Sequence, residues 1–344
     1  MKYDKKALFA TAGFGLTILA SKLIQRLREE NLHGQVALIT GGSRGLGFLL
    51  AREFANEGCR IVICARDERE LEQAQKDLKH HGNEILTIRC DVADRLQVEH
   101  LVKETMNHFG RIDILVNNAG IIQVGPVETA TLEDFESALD VMFWGVLYPT
   151  LAVLPQMLKR KGGRIVNITS IGGKVSVPHL LPYTCAKFAA VGLSEGLRAE
   201  LSKKGINVIT IVPGLMRTGS YFNAIFKGQQ KEEFTWFSLG SSLPLISMDA
   251  QRAARQIVSA AKRGESERIL SIPANLLALF HGLFPGITSD LLGLVNRMLP
   301  EADGLKDTAT PGLEVHQRLQ SSLLSTLTSL GRSAARRFQR YDVS

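Results

Sequence analysis

A strand, a glycine-rich turn and a helix follow one another near the start of the chain, and this order limits the available folds more than any other feature. Val36–Thr40 is a short apolar run, the turn reads Gly41-Gly-Ser-Arg-Gly45-Leu-Gly47, and a helical pattern continues from Phe48 to Glu57. Glycines permit positive φ and let backbone amides approach a ligand, so a pyrophosphate can bind at the helix N-terminus. In this context the loose G-x-x-x-G-x-G spacing predicts a dinucleotide-binding unit.

Strand and helix patterns continue to alternate along the chain, which predicts an α/β fold with a doubly wound parallel sheet. One domain over residues 32–273 suits the length, with helical extensions at both ends. In such sheets, ligands bind beyond the carboxyl ends of the strands. Further strands are predicted at Arg60–Ala65, Glu84–Cys90, Ile112–Val116, Arg164–Ile168, Ile206–Val212 and Arg268–Ile272, and helices at Asp67–His80, Arg95–Phe109, Leu132–Met157 and Pro182–Lys203.

Tyr183 and Lys187 are four residues apart in a helical pattern and therefore lie on one helix face. An ammonium near a phenol favours the phenolate and lowers the phenol's pKa. Such a group can exchange a proton with a substrate oxygen near neutral pH. The spacing is common by itself, but here it follows a predicted strand that ends near Ser170.

Together these motifs resemble the short-chain dehydrogenase/reductase family over roughly Leu32 to Pro273. The resemblance implies a Rossmann-type sheet and hydride transfer between a nicotinamide cofactor and a ketone or secondary alcohol. The motifs, in order, are Thr40-Gly41-x-x-x-Gly45-x-Gly47, Asp91-Val92, Asn117-Asn118-Ala119-Gly120, Ser170, Tyr183 with Lys187, and Pro213-Gly214-x-x-x-Thr218.

Residue roles follow from the resemblance. Tyr183 is expected to be the general acid or base, Lys187 to lower its pKa and hold the nicotinamide ribose, and Ser170 to orient the substrate oxygen; Ser170 and Tyr183 would contact substrate. Thr218 is expected near the nicotinamide carboxamide. Asn118 is expected at the adenosine-side ribose, although its motif can also pin neighbouring strands together. The expected cofactor-binding residues are Gly41, Ser43, Arg44, Gly45, Leu46, Gly47, Arg66, Asp91, Val92, Asn118, Ala119, Gly120, Tyr183, Lys187, Pro213, Gly214 and Thr218.

Arg44 and Arg66 favour NADP(H) over NAD(H). Arg44 lies inside the glycine turn, and Arg66 follows the second strand, where a carboxylate would bind the ribose hydroxyls and repel a 2′-phosphate. A guanidinium can hold a phosphate through paired hydrogen bonds. The alternative is that both arginines are solvated loop charges.

Met142 departs from the family pattern. The chain reads Asp140-Val-Met142-Phe-Trp-Gly145, where the family often has an asparagine that supports a water relay to the lysine. A thioether is a weak acceptor and no donor. Either another route carries the proton or turnover is modest.

An aromatic segment follows Thr218 within residues 214–245, the lid segment, which by resemblance closes over the substrate. An apolar lid predicts a lipophilic substrate such as a steroid, a retinoid, a sphingoid base or a long-chain ketone. The alternative is that the rings pack against the body or a partner subunit. The rings are Tyr221, Phe222, Phe226, Phe234, Trp236 and Phe237.

Both ends of the chain carry apolar stretches. Residues 1–31 include the uncharged run Ala7–Ser21 between basic residues, which favours a membrane anchor, with packing on the domain or on a second subunit as the alternative. Residues 274–300 form an apolar stretch broken by glycine and proline, which predicts a helical hairpin that covers the pocket, enters a membrane surface or buries an oligomer contact. Residues 301–344 predict one basic amphipathic helix from Leu313 to Tyr341, with Leu323, Leu327 and Leu330 on one side.

Composition excludes little. The net charge of +7 owes much to the tail arginines (Arg332, Arg336, Arg337 and Arg340), so it is not expected to mark a nucleic-acid-binding face. The four cysteines form no C-x-x-C pair and no cluster with histidine, so no metal site is expected. Cys59, Cys64 and Cys90 are expected to be buried free thiols.

The sequence thus predicts an NADP(H)-dependent oxidoreductase acting on a lipophilic ketone or secondary alcohol at the cytoplasmic side of a membrane. A dimer or tetramer is expected from the family alone. The alternatives are a reductase of small soluble carbonyls and a non-catalytic NADP(H)-binding regulatory protein, which Met142 favours.

Overall fold

Seven parallel strands form the centre of the molecule. The computed structural model describes residues 29–79, 84–302, 308–319 and 322–339. The predicted N-terminal anchor, Ala7–Ser21, therefore lies outside the described residues. The strands are β1 Val36–Thr40, β2 Arg60–Ala65, β3 Ile85–Arg89, β4 Ile114–Asn117, β5 Gly163–Ile168, β6 Ile206–Pro213 and β7 Glu267–Leu270.

The sheet has the order β3-β2-β1-β4-β5-β6-β7, and every pairing is parallel. The direction of strand succession reverses between β1 and β4, and a crevice opens there at the carboxyl ends of the strands. All seven predicted strands are confirmed. The last one ends earlier than predicted, at Leu270, because Ile272 already begins a helix.

Helices cover both faces of this sheet, as the doubly wound prediction requires. Along β1, Ala37 and Ile39 join one hydrophobic cluster, whereas Val36 and Leu38 join the other. Successive side chains of a strand point to opposite faces, so a strand buried on both sides is apolar throughout. The helices are α1 Gly45–Asn56, α2 Glu68–Lys79, α3 Arg95–Phe109, α4 Leu132–Leu139, α5 Gly145–Arg160, α6 Leu181–Leu201, α7 Gln230–Ser242, α8 Ala250–Arg263, α9 Ile272–Leu283, α10 Pro285–Asn296, α11 Gly312–Arg318, α12 Ser322–Leu327 and α13 Ser329–Ala334.

The helix predicted at Leu132–Met157 contains a π-helical turn, Asp140–Trp144, between α4 and α5. Among the described residues, Leu132–Arg160 is long and apolar enough to cross a membrane. However, Val146, Val153 and Met157 are buried in the body of the protein. One side of it therefore packs on the sheet of the α/β domain, whereas Leu132 and Leu151 on it are exposed.

The aromatic side chains of the lid segment form a third hydrophobic cluster beside the sheet. Tyr221, Phe222, Phe226 and Phe234 are each at most 1 % exposed. They contact one another edge-on or tilted, with ring centroids 4.4–6.1 Å apart. Of the two interpretations of these rings, the structure supports packing against the body, and the apolar-lid argument for a lipophilic substrate loses its basis.

The prediction of a single C-terminal helix at Leu313–Tyr341 is wrong. The chain forms α11, α12, α13 and a π-helical turn, Ala335–Gln339, with non-helical backbone at Leu319 between the first two. Thr310–Pro311 pairs with Ile225–Phe226 of the lid segment, and the π-helical turn packs on α1. The segment follows the surface of the body and buries Val315, Leu324 and Phe338 there, whereas Leu327 and Leu330 remain exposed.

The stretch predicted as a helical hairpin, residues 274–300, contains two successive helices, α9 and α10, which pack on each other and are largely exposed. Only Ala274 and Thr288 of these helices are buried. Large apolar side chains are exposed on both helices: Ile272, Leu276, Leu279, Phe280, Leu283, Ile287, Leu291, Leu294 and Val295.

Candidate active site

The main cleft of about 520 Å³ lies at the carboxyl end of the sheet, where the strand order reverses. Its floor is the glycine turn between β1 and α1. Gly45 has φ +57°, and a Cβ on Gly47 would lie 2.0 Å from the Gly41 carbonyl oxygen. Larger residues are therefore excluded, and the first amides of α1 remain open to an anion.

Asn118 joins the end of β4 to the glycine turn. Its side-chain Nδ2 donates to the carbonyl oxygens of Thr40 (3.0 Å) and Gly41 (3.1 Å). Thr40 Oγ1 accepts from the backbone amides of Asn118 (3.0 Å) and Ala119 (3.1 Å). The pinning role weighed for this motif is confirmed, and the same residues line the cleft.

Acidic and basic side chains meet at the end of the cleft beside β2. Arg44 Nη1 forms an ion pair with Glu70 Oε1 at 2.7 Å, and Ser43 Oγ donates to Glu70 Oε2 at 2.8 Å. Arg66 is exposed and lines the same cleft with Asp67. The two predicted arginines therefore differ: Glu70 balances the charge of Arg44, whereas the Arg66 guanidinium has no protein partner in the described ranges.

Ser170, Tyr183 and Lys187 come together beyond the ends of β5 and β6. Ser170 Oγ accepts from the Gly172 amide at 3.0 Å and forms a hydrogen bond with Tyr183. A Cβ on Gly172 would lie 3.2 Å from the Tyr183 ring, so this glycine makes room for the phenol. Lys187 Nζ is buried, lies 5.7 Å from the centre of the Tyr183 ring, and donates to the Ile168 carbonyl oxygen at 2.9 Å.

A buried polar network fixes α6, which carries the tyrosine and the lysine, against the sheet. Asn117 Nδ2 donates to Asn167 Oδ1 at 2.8 Å, and Asn167 Nδ2 donates to Ser194 Oγ at 2.9 Å. Ser194 Oγ then shares a hydrogen bond of 2.7 Å with Thr210 Oγ1. The network links β4, β5, β6 and α6, and its buried hydrogen bonds favour one arrangement of these elements, although Asn117 Oδ1 itself has no partner.

The short chain dehydrogenase family model matches residues 35–225 of the chain. This match covers more than half of the sequence and includes the glycine turn, Asn118, Ser170, Tyr183 and Lys187. The chain belongs to the short-chain dehydrogenase family.

Relatives and a solved structure agree with this assignment. The chain is 34% identical over 263 residues to a dehydrogenase/reductase SDR family protein 7-like of Anopheles gambiae, covering 74% of this chain and 81% of that protein. It is 36% identical over 188 residues to a 3-oxoacyl-[acyl-carrier-protein] reductase of Synechocystis sp., covering 54% of this chain and 76% of the relative. The crystal structure of a short-chain dehydrogenase from Streptomyces avermitilis superposes with a TM-score of 0.65 at 28% identity, covering 77% of this chain and 97% of that one.

Proteins of the short-chain dehydrogenase family use NAD(H) or NADP(H), and the cleft has the features such a cofactor needs. The glycine turn would receive the diphosphate, and Asp91, Val92 and Asn118 lie in the wall farther along. Tyr183, Lys187 and Thr218 lie at the opposite end. Three predicted residues lie beside the wall and not in it: Ser170, Pro213 and Gly214. A Cβ on Gly214 would instead meet Ser271 and Ala274 at the start of α9.

Burial dominates the protonation of the short-chain dehydrogenase residues Tyr183 and Lys187. It raises the pKa of Tyr183, and the hydrogen bond with Ser170 only partly offsets this. It lowers the pKa of Lys187 to about 8. The expected lowering of the Tyr183 pKa by Lys187 is not seen: burial raises this pKa, and the lowering contribution comes from Ser170. The phenol is a protonated acid at neutral pH.

Met142 lies beside Tyr183, as the register of the motif predicts. The π-helical turn carries it, and it is 1 % exposed in a small cluster with Ala138, Ala186 and Tyr183. A Cβ on Gly120 would be 3.7 Å from the Met142 sulfur. The family's usual asparagine position is thus filled by apolar packing, with no side-chain donor.

Sequence reasoning missed several residues in the cleft wall. Glu70 lies in α2 and reaches the glycine turn through Arg44, which a helical charge pattern does not reveal. Gln339 comes from the C-terminal segment, and no sequence motif predicts that it lines the cleft. The other missed residues are Ala65, Asp67, Cys90, Ile121, Ile122, Val141, Ile168, Thr169, Met216, Ser220, Asn223 and Ala224.

We expect Lys187→Met to stabilise the protein at neutral pH by about 1–3 kcal/mol, because the buried ammonium opposes folding. The folded-state pKa of about 8 lies below the ordinary 10.5. Between these values the unfolded state binds more protons, so wild-type stability rises with pH there and the advantage of the variant shrinks. Urea unfolding at pH 7 and pH 9.5 measures both effects. The exposed Lys203→Met is the matched control, and an unchanged or lower stability of Lys187→Met at pH 7 would contradict the analysis.

Proposed function

We propose that the protein is an NADP(H)-dependent ketone reductase that works at a membrane surface and therefore takes lipophilic ketones, which partition into that surface. The observation that carries the enzymatic part is the convergence of Ser170, Tyr183 and Lys187 at one end of the dinucleotide cleft. A bound cofactor would supply the hydride to the carbonyl carbon. The chain's own residues then have to position the carbonyl oxygen and provide a proton.

Tyr183 is the group suited to provide that proton. Its raised pKa keeps the phenol protonated at neutral pH, so its Oη can hydrogen-bond to the substrate oxygen and donate to it as negative charge develops. Ser170 holds the phenol and offers a second hydrogen bond. Lys187 places a titratable positive charge behind the ring, with its pKa lowered to about 8. In the opposite direction the deprotonated form of Tyr183, the phenolate, would accept the proton of an alcohol.

Replacing Tyr183 by phenylalanine should lower kcat for ketone reduction by about 10²–10⁴-fold while NADPH binding is retained, because only the proton donor is lost. The measurement is NADPH oxidation with a panel of ketones graded from short and polar to long and apolar. Tyr148→Phe, a half-buried tyrosine on α5 outside the cleft wall, is the matched control.

The same panel separates three readings of the site. Turnover that rises with chain length supports a lipophilic substrate, and the 3-oxoacyl-[acyl-carrier-protein] reductase among the relatives favours an acyl-linked ketone. Turnover confined to short polar carbonyls would support the soluble-carbonyl reductase, an alternative that gains from the packing of the lid aromatic side chains away from the cleft. Tight NADPH binding with no Tyr183-dependent turnover in either direction would support the non-catalytic binding protein, which Met142 favours.

The preference for NADP(H) is proposed from Arg66. Its guanidinium is exposed at the β2 end of the cleft, where family members bind the adenosine ribose, and it can bind a 2′-phosphate without losing an ion pair. Asp67 and the Arg44–Glu70 pair together carry one negative charge, so Arg66 brings this end of the cleft to balance and is the positive group there that is not already held in an ion pair among the described residues.

We expect Arg66→Ala to weaken NADPH binding by about tenfold or more, since a hydrogen-bonded charge contributes roughly 1.5–3 kcal/mol. NADH binding should change little. Glu70→Gln should release Arg44 and strengthen NADPH binding. Fluorescence titration gives both dissociation constants, with Arg69→Ala, exposed on α2 and outside the cleft wall, as the control. Equal losses for NADPH and NADH in Arg66→Ala would argue against the proposed selectivity.

Membrane association is proposed from the α9–α10 hairpin. Each helix has 12 residues, about 18 Å, which is too short to cross a bilayer of about 30 Å. Between Ile272 and Met298 the only charged or titratable residues are His281, Asp290 and Arg297. A largely exposed hairpin with so few charges suits insertion into one leaflet, and its first turn contacts Gly214 near the site. The apolar run Ala7–Ser21 gives a second, independent reason to expect a lipid surface.

We expect the triple variant Leu276→Ser, Leu279→Ser, Leu283→Ser to bind lipid vesicles at least tenfold more weakly, because three exposed leucines lose their apolar burial. Flotation with phosphatidylcholine vesicles, with and without phosphatidylglycerol, measures this. The control replaces Leu96 and Leu245, which are 74 % and 91 % exposed elsewhere. If the triple variant binds vesicles normally but changes oligomeric state, the hairpin is a subunit interface. The dimer or tetramer expected from the family would then involve this surface.

A further inference from the structure

The C-terminal segment Ser329–Gln339, the C-terminal strap, reaches the cleft from outside the part of the chain that the family model matches. Its π-helical turn packs on α1, and Gln339 lines the cleft beside Gly45 and Asn223. Only 7 % of Gln339 is exposed. Gln339 is therefore a largely buried polar side chain in the wall of the cleft, where its amide can form hydrogen bonds with a ligand.

Packing holds the strap in place independently of Gln339. A Cβ on Gly219, whose φ is +73°, would lie 2.5 Å from Ala335 Cα, so the strap passes directly over the lid segment at this glycine. Phe338 is 5 % exposed and belongs to the hydrophobic cluster on the α1 side of the sheet. The residue next to it, Gln339, is therefore carried on an anchored backbone.

The Gln339 amide has a fixed orientation. Its Oε1 accepts from Asn223 Nδ2 at 3.0 Å. The Nε2 atom lies 2.7 Å from the place where a Cβ on Gly45 would stand, above the first residue of α1. Nε2 donates to no protein acceptor within the described ranges. A fixed, partly satisfied amide thus directs its N–H groups toward the helix N-terminus, where an anion is favoured.

We propose that Gln339 donates a hydrogen bond to the diphosphate of the nicotinamide cofactor, so that the C-terminal strap completes the cofactor site. This inference rests on the proposed use of such a cofactor. Asn223 is a positioning residue in this arrangement, since it acts through the Gln339 amide. The strap also crosses from the lid segment to the glycine turn, so it couples cofactor binding to the packing of both.

The test is the dissociation constant of NADPH for the purified full-length chain, measured by fluorescence titration. Gln339→Met keeps the length and burial of the side chain without its donor, and we expect binding to weaken by about tenfold. Gln339→Glu keeps an acceptor for Asn223 but sets a negative charge against the diphosphate, and the loss should be larger. NADH should be affected to the same extent, because the diphosphate is common to both cofactors. Gln317→Met, exposed on α11, is the matched control.

Thermal unfolding with and without NADPH separates binding from structure. A donor role leaves the melting temperature of the ligand-free protein close to wild type and reduces the rise caused by NADPH. Wild-type affinity in both Gln339 variants would overturn the inference and leave the proposed function intact. The same holds if Gln339→Glu binds as tightly as Gln339→Met. Absence of NADPH and NADH binding by the wild-type chain would overturn both the proposed function and this inference, and the wild-type titration alone identifies that case.

Discussion

The hydrogen bonds between Asn118, Thr40 and Gly41 are the interaction on which the rest of the site depends. They join the end of β4 to the end of β1 at the one place where the strand order reverses. Without these hydrogen bonds, β1 and β4 would still pair, but the position of the turn after β1 relative to the sheet would not be fixed. The amides at the start of α1 face the cleft because the hydrogen bonds from Asn118 fix the conformation of that turn. Asn118 therefore fixes the glycine turn and lines the cleft at the same time.

A second buried network fixes the opposite end of the cleft, where Tyr183 and Lys187 lie. Asn117, Asn167, Ser194 and Thr210 connect three strands to α6 through side-chain hydrogen bonds. Tyr183 and Lys187 lie on the same helix, two to three turns before Ser194, so the network fixes their distance from the sheet. Burial then sets their protonation. It keeps the phenol neutral and makes the ammonium less stable than it is in water. The pKa values of Tyr183 and Lys187 are shifted because the network holds α6 where both side chains are buried from solvent.

Local patterns predicted the sheet well. Each strand is short, apolar and bounded by turns, so its extent is determined by a few neighbouring residues, and all seven strands were predicted. The predicted boundary of the final strand lies too far along the chain. Ile272 is apolar and therefore fits a strand as well as the exposed first turn of α9. The lid aromatic side chains could not be assigned from sequence, because composition alone does not say whether a ring faces a cleft or another ring. The C-terminal helix was wrong for a related reason: leucines at helical spacing fit both a straight helix and a chain that turns to follow a surface.

The sequence by itself determined the family, the order of the elements and the identities of Ser170, Tyr183, Lys187 and the glycine turn. These features are encoded by residues close together in the chain, where spacing and residue type are sufficient. Only the tertiary structure decided that Glu70 balances Arg44 while Arg66 has no ion-pair partner in the described ranges, that Met142 packs on Tyr183, and that Gln339 lines the cleft. Each of these depends on contacts between residues far apart in the sequence. Such contacts are selected by the closure of the whole fold, because burial and charge balance depend on every element that surrounds a side chain.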